Sequence, residues 1–328
     1  MRELMVRDAI KEAIKSEMRR DPRVFLLGED IIDPWGGSWK TMEGCYTEFG
    51  PERVRETPIS EEAIVGAAVG AALCGMRPIA EIMFSDFVTR AMDQIVNQAA
   101  KFRYMTGGQA SVPLVIRTAQ GAGRAAAAQH SQSPEAWFVH TPGLKVVAPA
   151  TPYDAKGLLL AAIRDPDPVL FFEHKMNFTT TGPVPEEDYE IPLGSADVKR
   201  QGKDVTVIAH SRQVLRALDA AELVAKENGI EAEVIDPRTL FPLDIRTIVA
   251  SVQKTNRVVL VTEEVQRGSF AEHVAAKIVE KCFYDLDAPP VFVAGKNTPI
   301  PFAPVMENFV IPDVPDIAAG IRQAMASA

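Results

Sequence analysis

Short runs rich in Val, Ile and Phe alternate with helical patterns along this 328-residue chain, and that alternation restricts the fold more than any other property. Val24–Leu27, Pro78–Met83, Pro113–Arg117, Lys145–Ala148 and Val169–Phe172 read as strands falling among helices near 5–19, 60–74, 86–105 and 153–164. Apolar runs without polar alternation belong to strands covered on both faces, so the expected class is α/β, a doubly wound parallel sheet. After Glu173 the pattern breaks at Thr179-Thr180-Thr181-Gly182-Pro183-Val184-Pro185-Glu186-Glu187-Asp188, whose proline, glycine and charge density reads as an interdomain connection. A second, smaller α/β set follows, with strands Val205–Ala209, Ala232–Ile235, Val258–Val261 and Val291–Ala294 among helices near 212–228, 244–253, 269–282 and 314–326. The expected organisation is a first domain over 1–178, a linker over 179–191 and a second domain over 192–328. At 47% hydrophobic residues the chain can bury two cores. Asp33–Gly50, with Gly36, Gly37 and Gly44 among Trp35 and Trp39, reads as a long functional loop.

A net charge of −9 without a long basic run argues against nucleic acid and against an anionic membrane surface, since both require clustered Lys and Arg. Cys45, Cys74 and Cys282 are odd in number and lack metal-ligand spacing, so they read as reduced thiols of a cytoplasmic protein. Met1-Arg2-Glu3-Leu4-Met5 leads into a charged amphipathic helix, unlike a signal or transit peptide. No uninterrupted apolar run is long enough to span a bilayer.

The chemistry concentrates at a few places. Thr57-Pro58-Ile59-Ser60-Glu61-Glu62 sets two carboxylates at the mouth of a helix of small residues, Ala63 through Gly75, where a carboxylate can touch what a bulky helix would shield. Ser60 is the expected N-cap and Gly75 the stop. The plainer reading is that these acids complement the helix dipole, worth about 0.3–1 kcal/mol. Gly121-Ala122-Gly123-Arg124-Ala125-Ala126 matches part of a dinucleotide fingerprint, but the turn formers Gln129-His130-Ser131-Gln132-Ser133-Pro134 follow where a helix and second strand are required. His130 stands in that polar loop after a strand, which singles it out from His140, His174, His210 and His273 as a titratable group delivered into a cleft. Phe84 and Phe87 are either core aromatics or a stacking surface for a flat ring at a strand's carboxyl end.

Taken together, Thr57-Pro58-Ile59-Ser60-Glu61, Ala80-Glu81-Ile82-Met83-Phe84-Ser85-Asp86-Phe87, Asp93 through Lys101 and Gln129-His130-Ser131-Gln132 resemble the beta subunit of the thiamine-diphosphate-dependent 2-oxo acid dehydrogenases, a transketolase-like family. The likeness runs over the whole chain, through Pro142-Gly143-Leu144-Lys145-Val146-Val147 and Glu233-Val234-Ile235-Asp236-Pro237-Arg238-Thr239. It implies a pyrimidine-binding α/β domain followed by a transketolase C-terminal-like domain. In the family the carboxylate matching Glu61 hydrogen-bonds a ring nitrogen of the aminopyrimidine and favours the imino form that removes the thiazolium proton. The resemblance makes Phe87 the aromatic against that ring, lines the pocket with Met83 and Ile59, and gives His130 to substrate and acyl handling. Leu114, Ala162, Ile163, Asp165 and Asp167 match a loop that holds a structural potassium ion, K+, in some relatives, although Pro166 and Asp167 depart from those relatives. The chain lacks the Gly-Asp-Gly and later Asn-Asn by which the family holds Mg2+ and the diphosphate, so an alpha subunit should supply them within an α2β2 heterotetramer that docks on a lipoyl acyltransferase core.

The substrate expected from the resemblance is a small 2-oxo acid or acetoin. Glu173-His174-Lys175 and Lys101-Phe102-Arg103-Tyr104-Met105 look most like acetoin-cleaving relatives, and Ser131-Gln132-Ser133-Pro134-Glu135-Ala136 like branched-chain 2-oxo acid relatives, with pyruvate also open. Two other readings are a noncatalytic assembly subunit, with Glu61 only a helix-end charge, and a nicotinamide oxidoreductase using Gly121 and Gly123.

Overall fold

A computed structural model describes residues 1–326 and divides the chain into two compact units. Unit 1 comprises residues 1–120 and 137–193, and unit 2 comprises 121–136 and 194–328. The first unit begins with β1 (Arg2–Met5), α1 (Val6–Arg20), β2 (Val24–Gly28), α2 (Cys45–Phe49), β3 (Val54–Glu56), α3 (Glu61–Leu73) and β4 (Arg77–Ile82). After α4 (Phe102–Met105) and β5 (Val115–Gln120), the chain passes through α5 (Glu135–Val139) to β6 (Lys145–Val147), α6 (Pro152–Arg164), β7 (Val169–His174) and β8 (Thr181–Val184). Six of these strands form a parallel sheet in the order β6-β7-β5-β4-β2-β3.

Val6, Ile10, Ala13, Ile14 and Met18 recur at helical spacing along α1 and are buried where that helix packs on α6. Glu17 shares the buried face and survives there because Arg20 and Arg164 bind its carboxylate; burial raises its pKa, but those two partners outweigh it and the net shift is downward. Helix α6 starts on Thr151, whose hydroxyl accepts from the Asp154 N–H at 3.2 Å, with Pro152 in the first turn where its missing N–H costs nothing. The stretch 179–191, expected as a bare connection, contains β8, which pairs antiparallel with β1 from Arg2↔Val184 to Met5↔Thr181. Its backbone therefore belongs to unit 1.

A second difference lies at 86–105, expected as one helix. The chain instead forms a 3-10 turn over Ser85–Ala91, a π-helical stretch over Asp93–Ala99 and the short α4. The Ala100 N–H reaches back to the Ile95 carbonyl at 3.0 Å, the wider spacing of a π turn.

Unit 2 contains β9 (Asp197–Arg200), β10 (Val205–Ala209), α7 (Arg212–Asn228), β11 (Ala232–Asp236), β12 (Thr239–Phe241), α8 (Ile245–Thr255), β13 (Val258–Val265), α9 (Phe270–Cys282), β14 (Val291–Gly295), α10 (Pro304–Val310) and α11 (Val314–Ala326). Its sheet runs β14-β13-β10-β11-β9, parallel except for antiparallel β9 at the edge. Helices α7 and α11 pack together, as do α8 and α9. Among the described residues no helix is long and apolar enough to cross a membrane, and the three cysteines are free.

Candidate functional site

In unit 1 the candidate residues gather where parallel strands end, the place at which α/β sheets receive ligands. Glu61 is the first residue of α3, half-buried, and among the described residues no donor reaches its carboxylate. Ser60 takes the N-cap position but its hydroxyl makes no capping bond, while Gly75 turns the chain out of the helix at φ +90°. The helix buries Ile64, Val65, Ala68, Val69 and Ala72 and leaves Ala63, Ala67 and Gly70 exposed, so small residues line its open side. Ile59 projects beside Glu61 at 83% exposure.

Glu29, which directly follows β2, is a site residue that sequence reasoning missed. It is 8% exposed, and its Oε1 has no donor. Burial pushes its pKa up, and the charges of Glu61 and Asp30 push it further. The signal was present as an acid placed straight after a wholly buried strand. The Thr57 and Thr118 hydroxyls are also buried without partners. Two carboxylates and two hydroxyls lacking donors suit a ligand that brings its own N–H groups, as an aminopyrimidine does. The residues present therefore fit the ring end of thiamine diphosphate.

Met83 follows β4 and Phe87 lies in the 3-10 turn, both half-buried. Phe87 meets Phe84 edge to face at 6.1 Å, Phe84 meets Trp39 at 6.3 Å, and Trp39 stacks on Phe178 at 5.1 Å. The Lys175 ammonium stands 5.4 Å from the Phe84 ring centroid. Phe87 thus belongs to an aromatic series rooted in the core, which helps fix its ring.

Beneath these groups β4, β5 and β7 carry a buried ion triad. Arg117 donates to both oxygens of Glu173, at 2.7 and 2.8 Å, and once to Glu81 at 3.1 Å. Burial pushes both carboxyls up, Glu81 to about 7, because one guanidinium serves two acids and gives Glu173 the bidentate geometry. The loop 33–50 presses on this triad. A Cβ on Gly37, at φ +80°, would sit 2.7 Å from the Glu81 Oε1, and Thr41 donates to the other oxygen at 3.5 Å.

His130 belongs to the segment 121–136, which groups with unit 2. It is half-buried in a turn, and its N–H points to the Ala127 carbonyl at 3.4 Å. Ala125 and Ala127 adopt positive φ of 51° and 60°, each costing about 1 kcal/mol or more for a residue with a Cβ. The N–H groups of Ala122, Gly123 and Ala125, which a pyrophosphate would need, already donate to the carboxylates of Glu263 and Glu307. No helix opens there, so the dinucleotide resemblance ends at the glycines.

Other histidines have structural partners. His174 is buried and its Nδ1 accepts from the Met176 N–H at 3.1 Å. His210 is buried with Nε2 3.5 Å from the Glu135 carboxylate; burial opposes its proton, but Glu135 and Glu264 hold it and raise its pKa. Glu264 is itself pushed up to about 7, first by burial and then by Glu135.

At the expected potassium loop, Leu114, Ala162, Ile163, Asp165 and Asp167 already have protein partners. Arg77 donates from Nε to the Ile163 carbonyl at 2.9 Å and from Nη2 to the Asp165 carbonyl at 2.7 Å. Lys145 holds both Asp165 carboxylate oxygens, at 2.7 and 2.6 Å, and lies 3.6 Å from Asp167. The Leu114 and Ala162 carbonyls accept from the N–H groups of Val169 and Asp165. Two fixed positive charges already bind these oxygens, and their repulsion opposes a further cation there. Replacing potassium by a bulky organic cation is therefore expected to leave the thermal midpoint unchanged, and a falling midpoint would reveal an ion at this loop.

Comparison with known proteins identifies the family. Residues 2–181 match the family model for the transketolase pyrimidine binding domain, and residues 194–317 match that for the transketolase C-terminal domain. The beta subunit of acetoin:2,6-dichlorophenolindophenol oxidoreductase from Cupriavidus necator is 51% identical over 99% of this chain and 98% of its own length. The 2-oxoisovalerate dehydrogenase subunit beta of Bacillus subtilis is 50% identical over 96% of this chain and 97% of its own. A pyruvate dehydrogenase E1 component subunit beta from Oryza sativa is 44% identical over 98% and 86%. Among solved structures, a split-gene transketolase superposes with a TM-score of 0.82 over 99% of both chains at 24% identity, which supports the two-domain fold. The chain belongs to the beta subunits of the thiamine-diphosphate-dependent 2-oxo acid and acetoin dehydrogenases.

Proposed function

We propose that this chain grips the aminopyrimidine end of thiamine diphosphate through Glu61, and that an alpha subunit holds the diphosphate and Mg2+ in an α2β2 heterotetramer. The observation that carries this reading is the donor-free carboxylate of Glu61 beside buried Glu29 and the unpartnered hydroxyl of Thr57. When bound, thiamine diphosphate supplies a carbon nucleophile that splits the bond beside a substrate carbonyl. Glu61 hydrogen-bonds a ring nitrogen and keeps a proton acceptor at that atom. Phe87 packs on the ring, and Met83 and Ile59 exclude water from its edge. His130 orients the substrate and steadies charge during acyl transfer to a lipoyl group on the acyltransferase core. The assembly is cytoplasmic in this reading.

The substrate class is a short 2-oxo acid or acetoin, in keeping with the names carried by the relatives. Turnover by the reconstituted pair on pyruvate, 2-oxoisovalerate and acetoin tests the proposal. One of the three should be turned over with lipoyl acylation, only when both chains are present. Full activity of this chain alone, or none by the pair on any of the three, would refute it.

A further inference from the structure

Glu307 lies on the inner side of α10 at 2% exposure, and both of its carboxylate oxygens bind the segment that carries His130. One accepts the Gly123 N–H at 2.8 Å and the other the Ala125 N–H at 2.9 Å. Glu263 on β13 accepts a third N–H, from Ala122 at 2.6 Å, and Glu264 accepts that of Ala136 at 3.2 Å. Ala122 also packs on Val310 and Ile311 at the end of α10. Between these anchors the chain passes through the left-handed conformations of Ala125 and Ala127, and Ala127 in turn takes the N–H of His130. Alanines persist there only where their surroundings over-determine the backbone. Hydrogen bonds to a carboxylate are stronger than neutral ones, and Glu307 places two of them on the backbone leading into the first left-handed alanine.

We infer that Glu307 is a positioning residue for His130, clamping the turn whose conformation sets where the imidazole stands. It acts through the backbone and touches no substrate. This rests on the role proposed above for His130, and the test separates the two ideas.

In the assembled alpha–beta complex, Glu307→Gln turns one acceptor into an amide donor facing a backbone N–H. It should lower kcat by about 10- to 100-fold, the usual consequence of a displacement near 1 Å, with KM and thiamine diphosphate affinity nearly unchanged. In a His130→Ala background the same change should cost less than about twofold, because the group it positions is gone. Trypsin should cut faster after exposed Arg124 in Glu307→Gln than in the parent. Glu307→Asp, which keeps both oxygens, should recover part of the rate, and it replaces Glu307→Gln in the comparison if that variant fails to assemble. An equal loss in both backgrounds, or a parental rate, would overturn the positioning role while leaving His130 intact. Full turnover by His130→Ala would remove the proposed role of His130 and this inference with it.

Discussion

Glu61→Gln is expected to lower turnover of the assembled enzyme by about 10²- to 10⁴-fold, the range for loss of a positioned acid–base group. The substitution preserves size and the start of α3, so the fold should be undisturbed. Glutamine cannot exchange a proton with the ring nitrogen, and its amide would present N–H groups where a ligand's own N–H groups need an acceptor. The loss should therefore fall chiefly on kcat, with thiamine diphosphate affinity changing far less. The helix-dipole reading makes a different forecast: removing a first-turn charge costs about 0.3–1 kcal/mol of stability and leaves turnover as it was. Steady-state kinetics with a thermal melt of the same sample separates the two, and parental turnover would show that this carboxylate stands outside the reaction.

Arg117→Met is expected to destabilise the protein by about 3–5 kcal/mol, because it leaves Glu81 and Glu173 buried together with no opposing charge. The deficit should depend on pH in a defined direction. The folded pKa of Glu81 already stands near 7 and that of Glu173 is also raised, both through burial, so each carboxyl binds its proton more tightly folded than unfolded. Stability linked to such a group is fully present below the unfolded value near 4.5 and is lost as pH rises through the folded value. Without Arg117 the folded values rise further, so the deficit should be smallest near pH 5 and largest above pH 7. Urea unfolding at those two values measures it. A deficit below about 1 kcal/mol, the level of a surface pair, would mean that the triad is not the core element described here.

Much of this architecture was legible because buried strands of a parallel sheet are apolar runs in one dimension. Val205–Ala209 and the helix 212–228 stand where their patterns put them. Strands that no apolar run marks include β3, Val-Arg-Glu, which buries only Val54, and β9, Asp-Val-Lys-Arg, none of whose residues is fully buried; each is held by its neighbour's hydrogen bonds. Glu61, Phe87 and His130, the residues proposed for the site, each sit in a local motif whose meaning is carried by adjacent residues. The groups that support them do not. Glu307 reaches Gly123 across 184 positions and Arg77 reaches the Ile163 carbonyl across 86, and no periodicity records a contact at that separation. Arg77 shows the consequence, since nothing in the loop at 162–167 announces the distant guanidinium bonded to its carbonyls.

The central claim is that this chain holds the aromatic end of the coenzyme and a different subunit holds its charged end. Calorimetric titration of thiamine diphosphate with Mg2+ into this chain, into the alpha subunit and into their complex tests it most directly. Tight binding by the complex is expected, and no comparable binding by this chain alone. Tight, stoichiometric binding by the isolated chain would contradict it.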